Sequence, residues 1–187
     1  MIQETIVTTQ NSSGVAHIAP MGIHINGDEI IILPFRPSAT LNNLLENKTA
    51  VLNYCDDVRV FAGCLTGRRD WPLNAAEKIN GQVLKCALAH TEVELVRIED
   101  DPTRPKLSCK AVHTVNHTPF KGFNRAQYSV LEAAILISRL SMLPLAKIEA
   151  EIDYLRIGFE KTAGDRELEA WGWLMAVIDS HKAEVNA

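Results

Sequence analysis

Several features that mark particular classes of protein are missing from this 187-residue chain. Its four cysteines, Cys55, Cys64, Cys86 and Cys109, lack C-x-x-C spacing and therefore predict neither a zinc site nor an iron–sulfur cluster. No secretory leader opens the chain, so we expect no disulfides and a reducing, cytoplasmic location. No apolar run approaches the ~20 residues that a membrane-spanning helix needs. These absences predict a soluble cytoplasmic protein without a membrane partner.

Concentrated basic charge is also missing. The chain has 19 Lys and Arg residues against 23 Asp and Glu, a formal net charge of -4 at pH 7. Binding to nucleic acid depends on a dense basic surface, and the arginines here, such as Arg68, Arg69 and Arg97, are scattered. Hydrophobic residues make up 47% and charged residues 22%, values that are ordinary for a folded globular protein. We therefore expect no nucleic-acid partner.

Turn signals divide the first two thirds of the chain into short strands. Residues 10–14 are of types that favour a turn, and Asn26-Gly27-Asp28 is a strong hairpin signal. Strands are predicted at residues 4–9, 15–19, 21–25, 29–33, 50–55, 86–98 and 106–116. Residues 61–66 fit either a short strand or a helical turn. Short strands joined by tight turns, with one helix inserted, indicate an antiparallel barrel and not a βαβ sheet.

The hydrophobic period changes to that of helices after Asn124. The first helix is apolar over much of its circumference, which predicts burial on more than one side. Pro144 ends or restarts it, and further helices are predicted at residues 145–162 and 165–182. The fold class is therefore α+β: a barrel at residues 1–120 and a C-terminal helical bundle at 121–187. We expect the bundle to pack on the barrel or on a partner subunit, as part of one structural unit.

The turn before the inserted helix has the chemistry of a phosphate site. Ser38 is a preferred N-cap residue, and Leu41 and Leu44 begin an apolar helix face. The first N–H groups of a helix lack intrahelical acceptors, and the helix dipole makes that end attractive to an anion. Arg36 adds a fork of donors, and Ser38 and Thr40 add hydroxyls. The alternative is an ordinary capped helix with a solvated arginine.

Other segments extend this turn into an ordered set of motifs. They are Thr8-Thr9, Gly14, Ala19-Pro20-Met21-Gly22, Arg36-Pro37-Ser38-Ala39-Thr40, Asn43-Leu44, Val51-Leu52-Asn53-Tyr54, Asp56-Asp57, Phe61-Ala62 and Gly122-Phe123-Asn124-Arg125-Ala126. In this set the chain resembles the flavin-binding split-barrel superfamily and, within it, the FMN-binding DUF447 family. The resemblance covers most of the chain, although no single motif in it is as specific as a P-loop.

The resemblance implies an antiparallel split β-barrel that forms a homodimer, with FMN in the groove between two barrels. It places the phosphate on Arg36, Ser38 and Thr40, with Asn43 nearby. The flavin ring would lie against Met21, Gly22 and Asn53, which offer an apolar surface and backbone or amide groups. Glycine at position 22 allows a ring to approach the backbone closely.

A glycine-containing loop, Lys121-Gly122-Phe123, leads into the first C-terminal helix. The ammonium group of Lys121 and the amide of Asn124 are candidates to reach the FMN phosphate or ring, from the same subunit or its partner. The alternative for Asn124 is a helix cap, which its residue type favours.

No residue stands out as a catalytic acid, base or nucleophile. Asp56 and Asp57 are adjacent, so on a strand they would face opposite sides, and a turn is the favoured role. Metal binding by His113 and His117 is a weak alternative, since a strand would not bring them together. None of the histidines, including His17 and His24, is a strong axial ligand for haem.

Two functions follow from the resemblance and stay open at this stage. The first is an FMN-dependent oxidoreductase acting on a small molecule, with the flavin at a dimer interface and redox chemistry supplied by the flavin itself. The second is a non-enzymatic FMN-binding protein that carries flavin or transfers electrons. An enzyme needs an open pocket beside the ring, whereas a carrier would cover it.

Overall fold

The computed structural model describes residues 1–185, and the last two residues of the predicted helical region, 186–187, lie outside the described part. The strands are β1 (Ile2–Gln10), β2 (Ala16–Asn26), β3 (Glu29–Ile32), β4 (Thr49–Tyr54), β5 (Leu73–Ala75), β6 (Gln82–Leu84), β7 (Ala89–Glu99) and β8 (Lys106–Asn116). The helices are α1 (Ala39–Asn47), α2 (Val58–Leu65), α3 (Arg125–Ile137), α4 (Leu145–Thr162) and α5 (Asp165–Val185).

Six strands close an antiparallel barrel in the order β1-β2-β3-β8-β7-β4, and β5 pairs with β6 in a separate hairpin. The inner face of the barrel carries the apolar residues of alternating strand positions, because side chains alternate between the two faces of a sheet. These buried residues include Val7, Ile23, Leu52, Val93 and Leu107. Leu41 and Leu44 of α1 join the same core.

Strand β2 runs without interruption through Pro20, where the sequence predicted a break between two strands. Proline lacks an N–H and is tolerated where a strand has an open edge. Strand β3 pairs with β2 only from Ile23 onward, whereas β1 pairs with β2 along its length. The predicted turn at residues 26–28 is present, and Gly27 adopts the positive φ (61°) that this tight turn requires.

The chain forms two compact units, one built from residues 1–55 and 70–120 and one from residues 56–69 and the chain after residue 120. The second unit packs α2 with the three long helices around a core that includes Val58, Val130, Ile152 and Leu174. Phe159 and Trp171 stack with their ring centroids 4.4 Å apart in this core. The ambiguous segment at 61–66 is therefore helical, and Asp57 caps that helix by accepting a hydrogen bond from the amide of Arg59.

The predicted fold class is confirmed: an antiparallel barrel of the split type with a C-terminal helical bundle. Within the described residues, no helix combines the length and the apolar character that crossing a membrane requires.

Candidate functional site

The turn between β3 and α1 has the capped helix that the sequence predicted. Oγ of Ser38 accepts a hydrogen bond from the amide of Leu41 at 3.2 Å, and the carbonyl of Ser38 accepts from the amide of Asn42 at 3.1 Å. Ser38 itself has extended backbone angles, as an N-cap residue should. The N-terminus of α1 is therefore well defined, and the amides of Ala39 and Thr40 precede its first hydrogen bonds.

Two guanidinium groups lie at this turn, although the sequence pointed to one. Nη2 of Arg36 lies 2.7 Å from Oδ1 of Asp100, and both side chains are exposed. Arg104 donates from Nη2 to the carbonyl of Leu33 at 2.9 Å, and its guanidinium lies 4.5 Å from the centroid of the Phe35 ring. The turn thus carries two permanent positive charges beside a helix N-terminus.

The loop that supplies Arg104 is itself held in shape. The carboxylate of Asp101 accepts hydrogen bonds from the amides of Arg104 and Thr103, which hold the pKa of Asp101 below its usual value. The carbonyl of Thr103 accepts from the amide of Arg36 at 2.8 Å and joins the loop to the turn. The sequence predicts strands at 86–98 and 106–116 and no partner for the loop between them, because nothing in the neighbouring residues signals this pairing.

Thr40 and Asn43 lie on the buried side of α1. Nδ2 of Asn43 donates to Oγ1 of Thr9 at 3.0 Å, and Nδ2 of Asn47 donates to the carbonyl of Gln10 at 2.6 Å. These bonds fasten α1 to the end of β1. The proposed phosphate contact of Asn43 thus stays a prediction, while its amide already has a structural role.

Met21 and Gly22 face opposite sides of the barrel wall. Met21 packs against the barrel core, opposite Thr5 in the strand pairing. Gly22 lies opposite Glu4 on the outer face, where an added Cβ would lie 3.1 Å from Cγ2 of Ile2. The side chain of Glu4 also lies there, with its Oε1 3.3 Å from that Cβ position, so the space beside Gly22 on the outer face is filled by Ile2 and Glu4. The predicted contact of Gly22 with the flavin ring stays a prediction.

Asn53 is fully buried on the outer face of the barrel wall. Its Nδ2 donates to the carbonyl of Ile6 at 3.0 Å and to Oγ1 of Thr8 at 3.1 Å, and its Oδ1 accepts from the amide of Leu84 at 2.8 Å. The hairpin β5–β6 thus covers this face, and Oγ1 of Thr8 donates to the carbonyl of Gln82 in the same hairpin. The predicted contact of Asn53 with a ring is untested, and its amide is engaged within the protein.

A buried polar cluster that the sequence did not reveal lies beside Asn53. His90 pairs with Asn53 across the sheet, and its Nδ1 lies 2.8 Å from Nε2 of His117. Glu92 is fully buried and accepts hydrogen bonds from the amides of Glu77, Lys78 and Ile79 at 2.7–2.9 Å. Burial by itself would raise the pKa of Glu92, because it favours the neutral carboxyl group. The three amide hydrogen bonds and the one with His90 together outweigh burial, so the pKa of Glu92 is lowered.

Lys121 and Asn124 belong to the second unit. Asn124 caps α3: its side chain accepts from the amide of Ala126 at 2.8 Å, and its Nδ2 donates to the carbonyl of Thr162 at 3.0 Å. Lys121 is exposed in the segment before this helix. Their role toward a cofactor stays a prediction.

Metal ligation finds no support in the arrangement of side chains. Among residues 1–185, no three His, Cys, Asp or Glu side chains converge on a common metal position. His113 and His117 instead have separate partners, Glu77 at 3.2 Å and His90 at 2.8 Å.

The barrel has the fold of flavin reductases and related FMN-binding proteins. An FMN-bound protein of the DUF447 family from Methanosarcina mazei superposes with a TM-score of 0.82 at 21% identity, over 94% of each chain. The 2-nitrobenzoate 2-nitroreductase from Pseudomonas fluorescens gives a TM-score of 0.55 at 21% identity, over 61% of this chain and 64% of that one. An FMN-binding protein from Thermus thermophilus gives 0.52 at 12% identity, over 60% and 69%.

Two family models match the sequence itself. The N-terminal domain of the protein of unknown function DUF447 matches residues 3–118, and a second DUF447 model matches residues 124–176. The chain belongs to the DUF447 family, as its motifs predicted.

Proposed function

We propose that this chain binds FMN and acts as an oxidoreductase on a small molecule, as a homodimer with the flavin at the subunit interface. The family membership and the shared fold with an FMN-bound member support the cofactor. The observation that carries the proposal in this chain is the turn before α1, where a helix N-terminus and two guanidinium groups meet.

The donor set at the turn fits a phosphate group. The amides of Ala39 and Thr40 precede the first hydrogen bonds of α1, as an anion at a helix N-terminus requires. Arg36 is 43% exposed and its partner Asp100 is 83% exposed, so the guanidinium can exchange that carboxylate for a phosphate oxygen. Ser38 contributes a hydroxyl group, and the contribution of Thr40, which lies on the buried side of α1, stays a prediction. A phosphate dianion in this position would be stabilised by the N-terminus of α1 on one side and by the guanidinium of Arg36 on the other.

The residues proposed for the ring act by positioning. The flavin ring would lie against the backbone at Gly22 once the side chains of Ile2 and Glu4 move aside, and Met21 fills the wall behind it. Asn53 holds β1, β4 and the covering hairpin together through its amide. Lys121 and Asn124 stay candidate cofactor contacts, from the same subunit or its partner, as the family resemblance implies. FMN, when bound, would supply the redox chemistry, and the residues of the chain would bind and orient it.

A flavin fluorescence titration of the cofactor-free protein tests the binding step. Saturable quenching at one FMN per chain is expected, and an absence of quenching would contradict FMN binding.

Anaerobic addition of NADH or NADPH to the FMN-loaded protein then separates the two functions. Bleaching of the flavin bands supports an oxidoreductase, whereas binding without bleaching by either donor favours a flavin carrier.

Sedimentation velocity, with and without FMN, tests the proposed homodimer. A dimer that persists, or that FMN strengthens, is expected if the flavin lies between subunits. A monomer that binds FMN at full stoichiometry would contradict the interfacial site and leave the cofactor assignment intact.

A further inference from the structure

Two cysteine side chains meet in the first unit. Cys55 directly follows β4, and Cys86 lies in the turn that joins β6 to β7. Their Sγ atoms are 3.6 Å apart, and both side chains are half-buried. This separation is a van der Waals contact between two thiols that are 31 positions apart in the sequence.

The backbone on both sides of the pair is fixed by hydrogen bonds. The amide of Leu88 donates to the carbonyl of Tyr54 at 2.8 Å, and the amide of Leu84 donates to Oδ1 of Asn53 at 2.8 Å. The amide of Ala87 closes the turn on the carbonyl of Leu84 at 3.1 Å. The meeting of the two sulfurs therefore follows from the sheet and its turn, and it does not depend on a freely moving loop.

The other two cysteines provide a contrast within the same chain. Cys64 and Cys109 are buried, and burial raises the pKa of Cys64 to about 11 and that of Cys109 to about 12. A thiol of this kind remains protonated and is a poor nucleophile, because the thiolate is the reactive form. Only the pair at Cys55 and Cys86 combines partial exposure with a second sulfur in contact.

We propose that Cys55 and Cys86 form a redox-active dithiol site, which a hydroperoxide such as hydrogen peroxide oxidises reversibly to a disulfide. A disulfide needs its sulfurs at about 2 Å, so rotation of the two side chains has to bring them ~1.5 Å closer. This inference shares with the proposed flavin site only the hydrogen bond from Leu84 to Asn53, and it does not depend on FMN binding.

The chemistry balances in two steps. A thiolate of the pair attacks one peroxide oxygen, the O–O bond breaks, and the cysteine becomes a sulfenic acid while the peroxide leaves as water. The neighbouring thiol then attacks the sulfenic sulfur, the S–S bond forms, and a second water leaves with the sulfenic oxygen. Overall, two thiols lose two electrons and two protons, and one peroxide becomes two waters. A dithiol reductant such as dithiothreitol reverses the change by exchange.

Intact mass and thiol counting on the full chain test the proposal. After mild treatment with hydrogen peroxide, we expect a loss of two hydrogen masses and a fall in titratable thiols from four to two in denaturant. Peptide mapping should find Cys55 joined to Cys86, with Cys64 and Cys109 still alkylatable, and dithiothreitol should restore all four thiols. Four remaining thiols, oxygen added to single cysteines, or links between different molecules would overturn the proposal.

Two matched variants make the test sharper. In Cys55→Ser and in Cys86→Ser, the remaining thiol of the pair has no resolving partner, so the loss of two hydrogen masses should disappear. The lone sulfenic acid should instead be trapped by dimedone in at least one of the two variants. An intramolecular disulfide that persists in either folded variant would show that another cysteine is the partner, and that result would contradict the site. The mapping of the unaltered protein decides the matter if a variant does not fold.

Discussion

Nη2 of Arg36 lies 2.7 Å from Oδ1 of Asp100, at the turn that we propose to hold the FMN phosphate. Both side chains are exposed, and exposed ion pairs of this kind contribute only ~0–1 kcal/mol to stability. Asp100 therefore neutralises the guanidinium without fixing it in place. A phosphate group at the helix N-terminus would compete with this carboxylate for the same donors.

Replacing that carboxylate should strengthen FMN binding. In Asp100→Asn the competing charge is gone, so we expect affinity to rise by up to ~1 kcal/mol, the range of an exposed pair. Fluorescence titration at low salt measures the change, and Asp28→Asn, in the turn between β2 and β3, is the control. Equal affinities for the two variants would show that Asp100 does not compete with the cofactor.

Removing the phosphate donors should have the opposite effect. The double variant Arg36→Ala and Ser38→Ala should weaken FMN binding by roughly 2 to 4 kcal/mol, because each change deletes a donor to a charged acceptor. Loss of the Ser38 cap also costs about 1 kcal/mol of stability, so thermal unfolding must confirm a folded protein. Arg97→Ala removes another exposed guanidinium, paired with Glu29 at 2.8 Å, and is the matched control. Unchanged affinity in the folded double variant would remove this turn from the site.

The amide of Asn53 should matter for folding. Asn53→Ala leaves the amide of Leu84 and the carbonyl of Ile6 without their buried partner, so we expect the free energy of unfolding to fall by ~2–4 kcal/mol. Asn42→Ala, an exposed change on α1, should stay within ~0.5 kcal/mol. Urea unfolding compares the two variants. A loss of FMN affinity in Asn53→Ala with full stability would instead indicate direct contact with the ring.

Glu92 should make stability depend on pH in the acid range. Its pKa is lower in the folded protein than the ordinary value of 4.5, so the folded state holds this proton less tightly than the unfolded state does. The carboxylate therefore stabilises the fold above that ordinary value, and its contribution is lost as the pH falls through the lower folded pKa. Glu92→Gln should remove this part of the pH dependence and lower stability near neutral pH by ~1–3 kcal/mol.

Urea unfolding at a series of pH values between about 3 and 7 checks the prediction. Glu29 and Asp101 also have lowered pKa values, so only the difference between the unaltered protein and the variant reports on Glu92. Parallel curves for the two proteins would contradict the assignment.

Features with a local signal were predictable from the sequence. The structure agrees with the prediction for the cap of α1 at Ser38, the range of α4 and the range of β8. Helix caps and hydrophobic periods depend only on residues that are close together in the sequence. Two strands are predicted at residues 15–19 and 21–25, whereas the structure joins them in one strand, because the open edge at Pro20 tolerates a residue without an N–H group. The sequence leaves residues 61–66 open between a short strand and a helical turn, because a helix of eight residues shows too little of the helical period.

Features that depend on distant pairing were not predictable. Arg36 and Asp100 are 64 positions apart, and Asn53 and Leu84 are 31 apart. The contact between Cys55 and Cys86 likewise arises only when β6 and β7 take their places beside β4. Composition and hydrophobic period do not predict contacts that depend on strand register. The partners of the site residues could therefore be identified only from the structure.

The most direct test of the central claim is the visible absorption spectrum of the full chain as purified from cells, with identification of the small molecule that heat releases. Flavin bands, together with FMN in the supernatant, are the predicted result. A colourless protein that also fails to take up added FMN would contradict the cofactor assignment and reduce the turn from Arg36 to Thr40 to an ordinary capped helix.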